Sequence, residues 1–151
     1  MADIIRTAHV DKAAELFNSG YNCAQATLCA FADTLGIDEA ELRRVSACFG
    51  GGISGIRQTC GAITGMLMAL GLLEGGFDVK DVDSKHALYA EGQELMNAFK
   101  AEFGYTDCAE LTSLVASKFK TEPHPLVACR GNCRACTAFV AYAVKTLEER
   151  L

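Results

Sequence analysis

The chain has 151 residues, half of them apolar and 22% charged, with a net charge of −5. That length suits one domain able to bury roughly 70% of its unfolded surface without covalent cross-links. The acidic balance excludes a nucleic-acid binder, which needs a basic stripe to displace counterions, and two prolines with a mean hydropathy of +0.16 exclude a disordered chain.

Sulfur is the unusual component: eight residues are cysteine, below the roughly 8–10% of disulfide-built secreted scaffolds. Asp3 and Arg6 interrupt the opening stretch, so no signal peptide is read there. A cytoplasmic protein with reduced thiols is the expectation. The longest uncharged run lies between Arg57 and Glu74, sixteen residues, and falls short of the roughly 20 that span a bilayer. It predicts a helix buried within the subunit or at a homodimer interface.

Apolar residues recur with helical spacing, and no stretch alternates in the manner of a strand. Ile5, Ala8, Ala13, Leu16 and Phe17 form a first amphipathic segment that ends near Gly20. Ala24, Leu28, Phe31 and Leu35 mark a second, stopped by Gly36. Asp38 with Glu41 reads as a capping box for a third helix carrying Leu42, Val45 and Phe49, which runs into a flexible glycine-rich loop, Gly50 to Gly55. Thr59 to Leu73 is the uncharged helix. A long helix from about Asp81 carries Leu88, Gly92, Leu95, Phe99 and Phe103 and closes at Gly104. Asp107 with Glu110 reads as a second capping box, for a short helix through Leu114. Pro123 and Pro125 break the chain around His124. Asn132 opens the last helix, with Cys136, Val140, Val144, Leu147 and Leu151 on its apolar face. The expectation is an all-α, single-domain bundle of about six to seven helices spanning residues 1–151.

Four cysteines directly follow a residue of the N-capping type: Asn22-Cys23, Thr59-Cys60, Asp107-Cys108 and Asn132-Cys133. A sulfur at the first helical position meets unpaired N–H groups and the positive end of the helix dipole, which favour the thiolate. Cys129, Cys133 and Cys136 form a C-x3-C-x2-C cluster with Arg130 and Arg134 nearby. Its second half suits dithiol exchange, with Cys133 attacking and Cys136 resolving. The same spacing suits thiolate ligands of an iron–sulfur cluster. Zinc with His124 as fourth ligand fits less well, because structural zinc sites use two closely spaced ligand pairs. Cys29 and Cys48 read as core, as do Met66 and Met68, while His9 and His86 read as solvated. The glycines after Phe49 lack the Gly-Lys-Ser/Thr ending of a phosphate loop.

Cys60-Gly61-Ala62-Ile63-Thr64-Gly65 spells C-G-A-x-x-G. Around it stand Tyr21-Asn22-Cys23-Ala24-Gln25-Ala26, Phe49 to Gly52, Met66 to Gly71, Phe103 to Leu111 and Cys136 to Val140. In these pieces the chain resembles, over roughly residues 15–148, the redox-active protein family named for its C_GCAxxG_C_C cysteine pattern. The resemblance implies a small bacterial or archaeal protein with four recurring cysteines, often encoded beside transporter genes. It also implies a fold shared with the haem-bearing split-Soret cytochrome c. Carried over residue by residue, the four are Cys23, Cys60, Cys108 and Cys136, with Cys129 and Cys133 as additions. The last of these differs from the cap pattern, which favours Cys133. Gly61 and Gly65 leave a bare helix face beside Cys60 for a second helix or a cofactor.

The expectation is thus a cytoplasmic redox protein performing thiol–disulfide exchange with an unidentified redox partner. Cys60 is its nucleophile and Cys108 or Cys136 resolves. One alternative is an iron–sulfur or other metal-binding electron carrier using Cys23, Cys60, Cys108, Cys129, Cys133 and Cys136. Another is a transporter-associated module whose cysteines act as a clasp.

Overall fold

A computed structural model describes residues 7–122, 134 and 136–151. The chain forms α1 (Ala8–Asn18), α2 (Cys23–Cys29), α3 (Ala32–Leu35), α4 (Glu39–Ser46), a 3-10 turn (Ala47–Phe49), α5 (Gly61–Glu74), α6 (Val82–Phe103), α7 (Cys108–Ala116), α8 (Lys118–Thr121) and α9 (Thr137–Glu148). The all-α class is as expected, and the described residues hold no strand beyond a single bridge between Thr59 and Asp107. The helical segments outnumber the six to seven expected. The second helix is divided at Phe31, whose N–H donates to Leu28 O at 3.1 Å in a tightened turn before α3 begins. The short α8 adds another segment.

Helix ends follow local chemistry closely. Gly36, Gly75 and Gly104 close α3, α5 and α6 in left-handed conformations that only glycine adopts without strain. Asp81 caps α6 by accepting from the Asp83 and Ser84 N–H groups. Asp38 caps α4 through Ala40 N–H, but Glu41 does not complete the expected box; its Oε1 accepts from Arg44 Nη1 at 3.1 Å instead. The reciprocal box forms at α2. There Asn22 Oδ1 accepts from Gln25 N–H at 2.9 Å and Gln25 Oε1 accepts from Asn22 N–H at 3.1 Å.

The core forms where α2, α5 and α9 meet, with α1 laid along α9 and α6 bridging α5 and α9. Leu28, Phe31, Ile63, Met66, Leu95, Phe99, Phe139 and Val144 are fully buried in it. Helices α2 and α5 approach closely because Gly65 has no side chain: a Cβ there would lie 2.7 Å from Ala24 O and 3.0 Å from Thr27 Cβ. At the other end of the core, Phe99 and Phe103 of α6 pack on Phe139 and Tyr142 of α9. The Phe103 and Phe139 rings meet edge-on at 4.8 Å. The uncharged α5 is a 14-residue core helix, and among the described residues no helix is long and apolar enough to cross a membrane.

Three sequence expectations need correction. Cys48 and Val45 were expected on a core face but are exposed: α4 buries Leu42 and Ser46 and leaves Val45 outside, and Cys48 lies in the 3-10 turn, which departs from the helical period. His9 is not simply solvated. Its Nδ1 pairs with Glu148 Oε1 at 3.0 Å, its Nε2 contacts Thr34 Oγ1 at 2.8 Å, and its ring stacks on Phe31.

Cys29 is core, as expected, and its buried thiol yields a pH prediction. Burial first, and then the Glu39 carboxylate, push it up to about 11, against the weaker pull of Arg43 and Lys12. The unfolded thiol ionises near 9.0 and the folded one only near 11, so its contribution is intact below the first value and lost as pH rises through the second. At about 1.4 kcal/mol per pKa unit, that is up to about 2–3 kcal/mol. Denaturant midpoints measured from pH 8 to 11 will fall less steeply in Cys29→Ala than in the parent; parallel curves would contradict the assignment.

Candidate functional site

The four pattern cysteines all sit at helix starts, in two different ways. Cys23 occupies the first position of α2, after the Asn22 cap. Cys108 occupies the first position of α7 after Asp107, which takes the cap conformation without a side-chain bond, so the expected second capping box is absent. Cys60 was expected one residue inside α5 but is itself the N-cap, because Thr59 is held in the bridge with Asp107 and Cys60 N–H donates to Thr106 O at 2.9 Å. Cys136 is likewise the N-cap of α9, which begins at Thr137; Asn132, expected to open this helix, lies outside the described residues. Cys129, Cys133 and His124 lie outside the described residues.

Three local devices bring these helix starts together. The Thr59–Asp107 bridge ties α5 to α7, reinforced by Cys108 N–H donating to Gln58 O at 2.6 Å and Ala109 N–H to Arg57 O at 3.2 Å. Gly61 admits α2: a Cβ there would lie 2.5 Å from Cys23 Sγ and 3.1 Å from Ala24 N. Arg134 ties the approach to α9 onto the end of α1. Its Nη1 donates to Phe17 O and Tyr21 O at 2.7 and 2.6 Å, and its guanidinium lies 3.9 Å from the Phe17 ring centroid. The bare face of Gly61 and Gly65 is therefore occupied by α2, the second helix for which the sequence left room.

The sulfurs share one electrostatic neighbourhood. Cys60 is 5% exposed, and burial above all, then the adjacent Cys23 and more weakly Cys136, push its thiol far above the ordinary range, against the N–H groups of Ala62 and Ile63. Burial pushes Cys136 up to about 11, with Cys23 and Cys108 adding to it and Arg134 and Arg57 opposing. Cys23 thus lies within electrostatic range of both Cys60 and Cys136, and Cys108 within range of Cys136. Cys23, Cys60, Cys108 and Cys136 form one cluster of free thiols, whereas Cys29 packs by α4 and Cys48 is exposed.

Burial therefore opposes at Cys60 the thiolate that its helix start was expected to favour. A helix terminus supplies at most about 2 kcal/mol to a charge, and burying an unpaired anion costs more. Sequence reasoning also missed Arg57, whose Nη1 lies 3.7 Å from Cys108 Sγ. Nothing in the motif spacing connects residues 57 and 108; only an isolated arginine before the uncharged stretch hinted at it.

Residues 21–150, from just before α2 through α9, match the family model described as "Putative redox-active protein (C_GCAxxG_C_C)". The chain belongs to this family. No curated protein and no solved structure matches it. In this member of the redox-active C_GCAxxG_C_C family, the matched stretch contains all four clustered cysteines and the arginine against Cys108. Among the described residues no three His, Cys, Asp or Glu side chains are placed to hold a metal ion. The metal-binding alternative also used Cys129 and Cys133, outside those residues.

Proposed function

We propose that the protein exchanges two electrons with a disulfide partner through Cys23, Cys60, Cys108 and Cys136. The observation that supports this reading is their convergence from the starts of α2, α5, α7 and α9, up to 113 residues apart in the chain, in a member of a redox-active family. A cluster thiolate attacks one sulfur of the partner disulfide, forming a mixed disulfide and releasing the partner's other sulfur as a thiolate. A neighbouring cluster thiol then loses its proton and attacks the mixed disulfide. The partner's remaining thiolate leaves and takes up a proton, so two protein thiols are oxidised and one disulfide is reduced. The high pKa of Cys60 and Cys136 keeps both as protonated reserves that become nucleophiles only when a mixed disulfide stands beside them. Cys23, within electrostatic range of both, provides the route by which a disulfide formed near α9 passes inward to Cys60.

Incubating the reduced protein with excess hydroxyethyl disulfide, then alkylating and mapping the peptides, tests this. Intramolecular disulfides are expected among the four, with Cys29 left as a thiol and Cys48 carrying at most the reagent. Cys136→Ser is expected to slow closure of the intramolecular bond at least about tenfold and to leave a mixed disulfide in place. A protein that acquires only reagent adducts, with no bond among the four, would overturn the reading.

A further inference from the structure

We propose that Arg57 is the positioning residue that makes Cys108 the attacking sulfur of the cluster. The attacking role rests on the exchange reading above; the coupling of Arg57 to Cys108 does not.

Arg57 is set against Cys108 by its backbone as well as its side chain. Its N–H donates to Gly51 O at 3.0 Å and its carbonyl accepts from Ala109 N–H at 3.2 Å, so the residue is pinned between the glycine loop and the first turn of α7. That leaves the guanidinium Nη1 3.7 Å from Cys108 Sγ. The loop holds this geometry under strain. Ile53, Ser54 and Arg57 have φ of 69°, 49° and 67°, the left-handed region that side chains disfavour. Gly52 lets the loop close directly over the sulfur, since a Cβ there would lie 2.6 Å from Cys108 Cβ and 2.7 Å from Arg57 Cα. Arg57 and Gly52 thus bring the loop onto Cys108, an approach that a connection between α4 and α5 does not itself require.

The helix start alone does not supply what a negative sulfur needs. In the first turn of α7 the N–H groups of Cys108, Ala109 and Leu111 already donate to the carbonyls of Gln58, Arg57 and Asp107. The nearby exposed carboxylates of Asp107 and Glu110 oppose a second negative charge. Among the described residues, the Arg57 guanidinium is the cation in hydrogen-bond contact with this sulfur. In the step itself Cys108 Sγ forms the new S–S bond, the partner's S–S bond breaks, and the leaving thiolate takes a proton from water. Arg57 transfers no proton; it sets a cation against the sulfur that attacks.

The test is peptide-mapped alkylation of the full chain at pH 7 with neutral iodoacetamide and anionic iodoacetate, in the parent, Arg57→Gln, Arg57→Lys and Arg57→Gly. The glycine variant relieves the positive φ and so keeps a folded comparison. Loss of the cation in Gln and Gly is expected to slow Cys108 about fivefold, the factor that a single charge contact at a protein surface is worth. It should also lower the iodoacetate-to-iodoacetamide rate ratio, while Cys23 stays within about twofold and Lys recovers most of both effects. An unchanged Cys108 rate in Gln and Gly, or Lys as slow as Gln, overturns the inference. If Cys108 follows Arg57 but hydroxyethyl disulfide forms no bond among the four cysteines, the coupling stands and the exchange reading falls. If those bonds form while Cys108 ignores Arg57, the inference alone falls.

Discussion

Gly65→Ala is expected to lower the melting temperature by roughly 5–10 °C and to disturb the sulfur cluster at the same time. The added Cβ would stand 2.7 Å from Ala24 O, a backbone atom that no rotamer change can clear. Helix α2 must therefore move off α5, at the typical overpacking cost of about 2–3 kcal/mol, which a chain of this size reports as several degrees. Cys23 starts α2 and Cys60 caps α5, so the shift also parts these two sulfurs. Thermal melts by circular dichroism and the yield of the Cys23–Cys60 disulfide measure the two consequences. Gly71→Ala is the control: a Cβ there meets nothing within 4 Å. Alanine is the better helix former by about 1 kcal/mol, so this variant should melt no lower than the parent. Equal behaviour of the two variants would show that the α2–α5 approach does not depend on Gly65.

Phe99→Ala should be the most destabilising single change in the core, by about 3–5 kcal/mol. Phe99 is fully buried, 4.9 Å from the Phe103 ring and 6.1 Å from those of Phe139 and Tyr142. Removing its ring takes the centre out of the α6–α9 contact and leaves a cavity between two helices that are each fixed elsewhere. Urea unfolding provides the measurement, with Tyr89→Ala on the exposed side of α6 expected within about 0.5 kcal/mol of the parent. A loss below about 1 kcal/mol for Phe99→Ala would mean that the neighbouring rings collapse into the space.

Much of this fold is legible residue by residue. The glycines at 36 and 104 stop helices where the periodicity ends, and Asp81 opens α6 where its spacing begins. These features succeed because a cap or a left-handed residue acts on atoms within four positions of itself. Elsewhere a competing contact intervened, a local one at Glu41 and a long-range one at Thr59. Glu41 turned to Arg44 instead of back to Asp38, and Thr59 was drawn into a bridge with Asp107, which moved the cap of α5 onto Cys60. At Cys48 the apolar spacing ran on through a 3-10 turn that a 3.6-residue period does not describe.

By itself, the sequence determined the all-α class, most helix ends, the family, and the placing of cysteines at the starts of helices. Each rests on local geometry or on a motif read along the chain. Only the tertiary structure decided what those cysteines are. It buried Cys60 and so raised its thiol's pKa, filled the Gly61–Gly65 face with α2, and set Arg57 against a sulfur 51 residues away. The ionisation of a thiol depends on the solvent it loses and the charges it gains. In this chain those come from helices that are remote in sequence and adjacent only once the bundle has formed.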